Sequence, residues 1–224
     1  MKKFKKALVL FLCAVLLVAG SVAGTLAYLL AKSDVVQNTF TYGDIEITLD
    51  EADVKPDGTL ESENRVQANE YHLIPSHTYV KDPTVTVLED SEPCYVRMKV
   101  YVANLDNLMT AIPVADHPEF YGADGVFLLQ KLVGGWDNAT WNYVKFDSTT
   151  NTYEFRYPTI VGLNSEDDTK LPPLFTSITV PGFIDNDNLP LMGSVQINVS
   201  AEAIQADGFE GDANAAWTAF DAQA

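Results

Sequence analysis

Three histidines are the first candidates for catalytic chemistry. His72 and His77 lie five residues apart around Pro75, and His117 directly precedes Pro118. A zinc peptidase of the His-Glu-x-x-His type needs two histidines four residues apart on one helix, with a glutamate between them as general base. The spacing does not match, and the prolines disfavour a helix at these positions. We therefore interpret the histidines as surface or turn residues, with zinc peptidase chemistry as the less favoured alternative.

A serine or cysteine nucleophile has no local motif in this chain. The sequence lacks a Gly-x-Ser-x-Gly turn, a phosphate-binding glycine loop and a dinucleotide fingerprint. Cys94 follows Pro93 at the start of the clearest strand pattern, so we predict a buried thiol that lines a sheet. No residue is assigned a catalytic role, and we favour a non-catalytic protein over an enzyme.

Carboxylate-rich loops are candidates for calcium binding. Asp185 and Asp187 alternate with two asparagines and offer the hard oxygen ligands that Ca²⁺ prefers. Acidic runs at 166–168 and 207–212 are similar, but none completes a twelve-residue calcium loop with its glycine and distal glutamate. We favour solvated acidic turns. A calcium site at Asp185 and Asp187 is the alternative, and calcium is the one cofactor we consider.

An aromatic cluster lies in the segment GGWDNATWNYVKF. Trp136, Trp141, Tyr143 and Phe146 could form a platform on which sugars stack. Aromatic residues at this density more often fill the core or a sheet face. We therefore predict that these four residues belong to the core.

Charge and composition exclude some partners. The chain has 224 residues, of which 47% are hydrophobic, so it can bury a sizeable core in one large or two small domains. Its formal charge is −17, and the part after residue 27 carries −21, with 10 basic and 31 acidic residues. So acidic a surface argues against nucleic acid as a partner. It does permit divalent cations.

The N-terminus has the pattern of an export signal. A lysine cluster is followed by Ala7–Ala31, which contains no charge. Ala7–Val18 fits the apolar region of a signal peptide, and the small residues after it fit a peptidase site. We predict cleavage after Ala27, with Thr25 at the −3 position and Tyr28 as the new N-terminus. An uncleaved membrane anchor is the alternative, because the uncharged stretch exceeds about 20 residues.

Alternating apolar and polar residues, typical of half-buried strands, recur along the rest of the chain. The first predicted strand covers 44–50, with Ile45, Ile47 and Leu49 on one face. Further strands are predicted at 84–87, 94–102, 153–157, 176–180 and 194–203. Within 94–102, the even-numbered side chains from Val96 onward should face the core. With six or more strands and many Pro, Gly and Asn turns, we predict an all-β sandwich.

Helices are predicted to be few and short. Segments 104–111 and 126–133 lie between strong strands and should form short helices at a sheet end. Asp212 can cap a last helix in which Trp217 and Phe220 share one face.

No boundary divides the chain after the predicted signal. The acidic stretch 50–70 contains Pro, Gly and Asn without an apolar period, so we predict an exposed loop. We predict a signal peptide at 1–27, a mature N-terminal segment at 28–40 and a single β-sandwich domain at 41–224. Cys94 is the only cysteine after residue 27, so an internal disulfide is impossible there.

The sequence resembles one known family. The stretch GTLAYLLAKSDVVQNTFTYGDIEITLDE resembles the signal peptide and first strand of the TasA/camelysin family. These are secreted bacterial proteins that a dedicated SipW-type signal peptidase processes. Later segments are similar to the clostridial members: YHLIPSHTYVKDPTVTV, SEPCYVRMKVYV, GWDNATWNYVKF, LPPLFTSITVP and VSAEAIQADGFEGDANAAWTAF. The resemblance covers nearly the whole chain and is most specific in the first of these stretches.

The resemblance implies a jelly-roll β-sandwich exported to the cell surface or biofilm matrix of a Gram-positive bacterium. TasA-like subunits assemble into fibres by donating the mature N-terminal segment as a strand to the next subunit. In this chain the donor would be 28–40, interrupted by Lys32-Ser33-Asp34. Its apolar residues are Tyr28, Leu29, Leu30, Val35, Val36 and Phe40. The implied partners are the SipW-type peptidase and further copies or related exported subunits.

Three functions follow as hypotheses. We favour an exported, non-catalytic fibre or matrix subunit. A secreted metallo-endopeptidase is the second, because the name camelysin carries a claimed peptidase activity, although no zinc-ligand motif here matches it. A calcium-dependent surface adhesin is the third.

Overall fold

The computed structural model describes residues 44–162, 167–209 and 211–223, all of which belong to one compact unit, Gly43–Ala224. The predicted signal peptide and mature N-terminal segment lie outside the described residues. Every strand ladder in the described part is antiparallel, and the helices are short, which confirms an all-β fold. None of the helices formed by the described residues is long and apolar enough to cross a bilayer.

Short antiparallel strands make up most of the regular structure. The strands are β1 (Ile47–Val54), β2 (Leu60–Val66), β3 (Thr78–Val80), β4 (Thr84–Val87), β5 (Cys94–Ala103), β6 (Val133–Gly134), β7 (Asn142–Asp147), β8 (Thr152–Arg156), β9 (Thr169–Lys170), β10 (Ser177–Thr179) and β11 (Gln196–Gln205). The helices are α1 (Leu105–Ala111), α2 (Leu189–Gly193) and α3 (Ala213–Asp221), with 3₁₀ turns at Pro118–Phe120 and Leu129–Lys131.

Three sheets form from these strands. One has the order β2-β1-β4-β9, a second has the order β11-β5-β8-β7, and a small third sheet has the order β3-β10-β6. The β5–β11 ladder is the longest and pairs every residue from Cys94↔Gln205 to Ala103↔Gln196 without a bulge. Because β11 stands at the end of the order β11-β5-β8-β7, it forms one edge of the second sheet.

The two larger sheets enclose a common core. The even-numbered side chains of β5 from Cys94 to Val102 are fully buried, as the period-two pattern predicts. Val85 and Val87 of β4 reach the same cluster from the first sheet, and Trp141 joins it from the loop before β7. Because inner faces of two sheets pack on each other, the arrangement is sandwich-like.

Helix α3 covers part of the opposite face of the second sheet. Asp212 caps it as predicted, because its Oδ1 accepts hydrogen bonds from the backbone nitrogens of Asn214 (2.9 Å) and Ala215 (3.0 Å). Trp217 then packs against Tyr95 in a second, smaller hydrophobic cluster.

Arg97 lies fully buried between this sheet and α3. Its Nε donates to Glu202 Oε2 and its Nη2 to Asp221 Oδ1, both at 2.5 Å. Its guanidinium carbon lies 4.3 Å from the ring centroid of Trp217. A buried charge without partners is strongly unfavourable, so these contacts make the burial possible. They also fix α3 on the sheet.

Two sequence-based predictions near the start of the unit are wrong. β1 runs from Ile47 to Val54 and not over 44–50, because it continues through the buried Glu51 and, across a bulge in its pairing with β2 between Ala52 and Val54, to the buried Val54. The predicted loop 50–70 contains β2, which lies at a sheet edge with mainly exposed, polar side chains. An edge strand that buries little shows no apolar period.

Other differences arise in the middle of the chain. The predicted helix at 126–133 is only a 3₁₀ turn at Leu129–Lys131 followed by β6. β7 was not predicted, because it too is a largely exposed edge strand. The predicted helix at 104–111 is confirmed as α1; Asn104 precedes it with a φ of 55°, which asparagine tolerates better than most residues.

Candidate strand-acceptor groove

The first half of β1 has a strand on only one side. β1 pairs with β4 over Ile47–Asp50 and with β2 only from Glu51 onward, so no described strand pairs with the other side of Ile47–Asp50. Glu46 O accepts from Leu88 N at 2.9 Å, on the β4 side. Since hydrogen-bonding direction alternates along a strand, the N–H and C=O groups of Ile47 and Leu49 point to the open side.

β11 presents a second edge with which no strand of the described residues pairs. The pairing with β5 continues one residue beyond the strand ends, where Ala206 N donates a hydrogen bond to Pro93 O at 2.7 Å. By the same alternation, the even-numbered residues of β11 bond to β5, and the backbone groups of Ile197 and Val199 point away from it. This edge is ten residues long and contains no proline or bulge.

A groove of about 1000 Å³ lies between these two open edges. Its walls include residues 47–51 of β1, and Val195 with the first four residues of β11 (196–199). Its floor consists largely of apolar side chains that belong to the core or pack on it: Leu73, Tyr79, Leu108, Leu132, Ile178, Val180 and Met192. The wall side chains Ile47, Leu49, Ile197 and Val199 are only half-buried. The described residues thus leave part of the sandwich core uncovered along this groove.

One end of the groove is polar. Lys81 Nζ pairs with Glu51 Oε2 at 2.6 Å, and Asn69 donates to the other oxygen of Glu51 at 2.8 Å. Tyr71 donates its phenol proton to Val80 O, and burial, together with the Glu51 carboxylate, raises the pKa of Tyr71, which stays neutral at physiological pH. Glu70 lines the same end and is exposed. The groove therefore has an apolar and a polar end.

Two other edge strands of the larger sheets, β2 and β7, have features that oppose strand addition. β2 carries the exposed Glu61 and Glu63. β7 has an irregular register between Tyr143 and Lys145. Charged side chains and bulges are the usual devices that stop edge strands from pairing. In the first half of β11, by contrast, the side chains that alternate with the apolar ones are uncharged: Gln196, Asn198 and Ser200.

The groove itself was not predicted from the sequence. The apolar faces of 44–50 and 194–203 were predicted, but strand order decides whether another strand covers them. A sequence signal does exist: β11 is long and alternates regularly, and the outward residues of its first half are uncharged, a combination that edge strands usually avoid.

The predicted calcium residues form a turn. Asp185 Oδ1 accepts hydrogen bonds from the backbone nitrogens of Asp187 (3.1 Å) and Asn188 (2.9 Å), the pattern of an aspartate that stabilises its own turn. Calcium binding at Asp185 and Asp187 stays a prediction. Among the described residues, no three His, Cys, Asp or Glu side chains are grouped so that they could hold a metal ion.

The histidines and the cysteine have structural contacts. His77 Nε2 lies 2.7 Å from Asp57 O, and the ring of His117 stacks on Phe183 with centroids 3.5 Å apart. Cys94 is fully buried, as predicted, and burial raises the pKa of its thiol to about 11. A protonated, inaccessible thiol is a poor nucleophile.

The aromatic segment belongs to the core, as predicted. Trp141 is fully buried and donates from Nε1 to Pro172 O at 2.9 Å. Trp136 donates to Trp141 O at 3.0 Å, while Tyr143 and Phe146 are partly buried against the core.

The residues predicted for signal cleavage and strand donation lie outside the described residues. They are Thr25, Ala27, Tyr28, Leu29, Leu30, Val35, Val36 and Phe40. No family model, curated protein or solved structure matches the chain.

Proposed function

We propose that the chain is an exported, non-catalytic structural subunit of the cell surface or biofilm matrix that polymerises by donor-strand exchange. The observation that carries this proposal is the groove between β1 and β11, where two strand edges that no described strand pairs flank an apolar floor that no described residue covers. A strand from another copy would form main-chain hydrogen bonds at the edges and cover the floor. A jelly-roll arrangement of the sandwich is part of the same proposal.

The donor is the mature N-terminal segment, 28–40. It combines six large apolar residues with a position six residues before β1, the first strand of the described unit. The resemblance to the TasA/camelysin family supports both this assignment and processing by a SipW-type signal peptidase after Ala27.

In such an exchange, the free energy gained by burying donor side chains nearly equals the entropy cost of ordering the donor backbone. Two or three buried apolar donor side chains contribute about 3–9 kcal/mol. Fixing about five donor residues costs roughly 5–10 kcal/mol of backbone entropy. Affinity therefore depends on hydrogen bonds to the strand edges as well as on the floor. At their closest, Cα atoms of β1 and β11 lie within 8 Å, less than the roughly 9.6 Å of two strand spacings. At this closest approach, either β1 and β11 must move apart or the inserted donor strand must end.

The test compares two chains that differ only in the donor. Residues 28–224 with a native N-terminus and residues 41–224 are purified and examined for filaments by electron microscopy. We expect filaments from the longer chain alone. Adding a synthetic 28–40 peptide in excess should block filament growth by occupying the groove, whereas a scrambled peptide should not.

Two results would contradict the proposal. Equal filament formation by both chains would show that the donor segment is dispensable. Absence of filaments together with zinc-dependent cleavage of casein would favour the metallo-endopeptidase.

A further inference from the structure

The groove is short, and its two ends differ chemically. Its walls include residues 47–51 of β1, of which 47–50 have no described strand on this side, and Val195 with the first four residues of β11 (196–199). Four strand residues correspond to about 13 Å of extended chain. Ile47 and Leu49 lie toward the apolar end. Glu51 lies at the polar end, where the chain after β2 passes through Asn69, which bonds to both Glu51 and Ala52 O.

The polar end is acidic. Three carboxylates and one ammonium line it, which leaves a formal charge of −2: Asp50, Glu51, Glu70 and Lys81. Glu51 is paired with Lys81, and Asp50 is paired with Arg65 at 2.7 Å. Glu70 is exposed and forms no ion pair with any described residue. A cation that arrives at this end would therefore meet an available carboxylate.

The donor segment contains one stretch that matches these properties. In 28–32, Tyr28 and Leu30 fall on one face, and Lys32, the only basic residue of the donor, follows on the same face. In 35–40 both faces carry polar side chains, Gln37 and Thr39 on one and Asn38 on the other. Only the first stretch offers a large apolar face to the floor and a cation at one end.

Chain length favours the same stretch. If 28–32 is inserted, residues 33–43 remain as a connection that can span up to about 36–40 Å. If 35–40 is inserted, only 41–43 remain, with a reach of about 10 Å. The longer connection reaches a neighbouring copy without forcing the two units into one fixed contact.

We infer, on the basis of the proposed function, that a neighbouring copy inserts Tyr28–Lys32 parallel to β1. Tyr28 lies beside Ile47, Leu30 lies beside Leu49, and Lys32 reaches the acidic end and pairs with Glu70. The charge at one end of the groove thus selects both the register and the direction of the donor.

A charge exchange tests the pairing. In the mature chain, Lys32→Glu and Glu70→Lys should each reduce the filament growth rate by about fivefold, the upper range for an exposed ion pair. The double variant Lys32→Glu/Glu70→Lys should recover most of the rate. Lys131→Glu, an exposed charge reversal remote in sequence from both partners, is the matched control and should not change it. If the double variant instead lost growth rate by the combined effect of the two single variants, the proposed pairing would be overturned.

Cysteine cross-linking tests the direction. Ser33→Cys/Glu70→Cys chains should form intermolecular disulfides in filaments under mild oxidation, and Leu29→Cys/Glu70→Cys chains should not. The native Cys94 is fully buried and should not interfere. Cross-linking of the Leu29 variant alone would show antiparallel insertion and overturn the inference.

The two proposals fail in different ways. Filaments that require residues 28–40 but ignore both the charge exchange and the cross-linking pattern would leave strand exchange intact and remove this register. Filaments that form without residues 28–40 would remove both.

Discussion

Arg97 Nη2 donates to Asp221 Oδ1 at 2.5 Å, across 124 positions of sequence. Arg97 is fully buried in β5, whereas the Asp221 side chain, at the end of α3, is 46% exposed. The bond joins the centre of one sheet to the last helix and lies on the sheet face opposite the main core. The C-terminal helix is therefore held by one buried cation as well as by the packing of Trp217.

Replacing Arg97 should destabilise the fold strongly. Arg97→Met removes the one buried cation that joins Glu202, Asp221 and the buried Glu154, so we expect a loss of about 3–5 kcal/mol in the free energy of unfolding. Urea denaturation followed by tryptophan fluorescence measures this. Lys99→Met is the control: Lys99 also pairs with Glu202 but is partly exposed, and its loss should cost less than about 1 kcal/mol. Similar losses in both variants would contradict a special role for Arg97.

Asp221 should contribute to stability in a pH-dependent way. The hydrogen bond from Arg97 holds the pKa of Asp221 below its ordinary value near 4. Because the folded pKa lies below the unfolded pKa, this contribution is present above about pH 4 and is lost as pH falls through the folded pKa. The stability difference between the wild-type chain and Asp221→Asn should therefore shrink below pH 4 in urea titrations. A difference that stays constant from pH 7 to pH 3 would refute this coupling.

Cys94 should react only after unfolding. Burial raises the pKa of its thiol from 9.0 to about 11, so the folded chain carries a protonated, inaccessible thiol at pH 8. Labelling by a thiol reagent should follow the global unfolding rate across a urea series. Since the folded pKa is the higher one, Cys94 should also lower stability as pH rises from about 9 to 11, an effect that Cys94→Ala removes. Fast labelling under native conditions would show local opening at the start of β5.

Proline substitutions can test separately the backbone groups of β11 that point to the groove and those that pair with β5. The N–H of Val199 points to the groove, and that of Ser200 points to β5, where Ser200 pairs with Lys99. Val199→Pro should fold but fail to form filaments, because an edge strand tolerates a missing outward donor. Ser200→Pro should lose about 1–3 kcal/mol of folding free energy through the broken ladder bond. Circular dichroism and electron microscopy report the two effects. Filament growth of Val199→Pro at the wild-type rate would exclude β11 as the acceptor edge.

Much of the fold could be predicted because it depends on local alternation. β5 and β11 were predicted with the correct inner face, since their side chains follow a period of two over ten residues. β2 and β7 could not be predicted in this way, because both lie at edges and bury little on either face. The cap at Asp212 was predicted because it involves only neighbouring residues.

The candidate site depends on relationships between distant residues. Ile47 and Ile197 were both assigned to apolar strand faces, but their facing positions across one groove follow from strand order, which alternation does not encode. The same holds for Arg97, whose partners lie 105 and 124 positions away. The sequence shows an arginine on an outward strand face, where solvent exposure is the ordinary expectation.

The unequal protection of the sheet edges has a consequence for the shape of an assembly. If each subunit has one acceptor edge and one donor segment, its two contacting surfaces differ, and the contact does not close on itself as a two-fold dimer does. The product is an open chain with a head and a tail: one terminal subunit has an empty groove and the other an unused N-terminus. Growth can then be stopped by blocking a single subunit per filament, so a tight groove-binding peptide should shorten filaments at concentrations far below that of the protein.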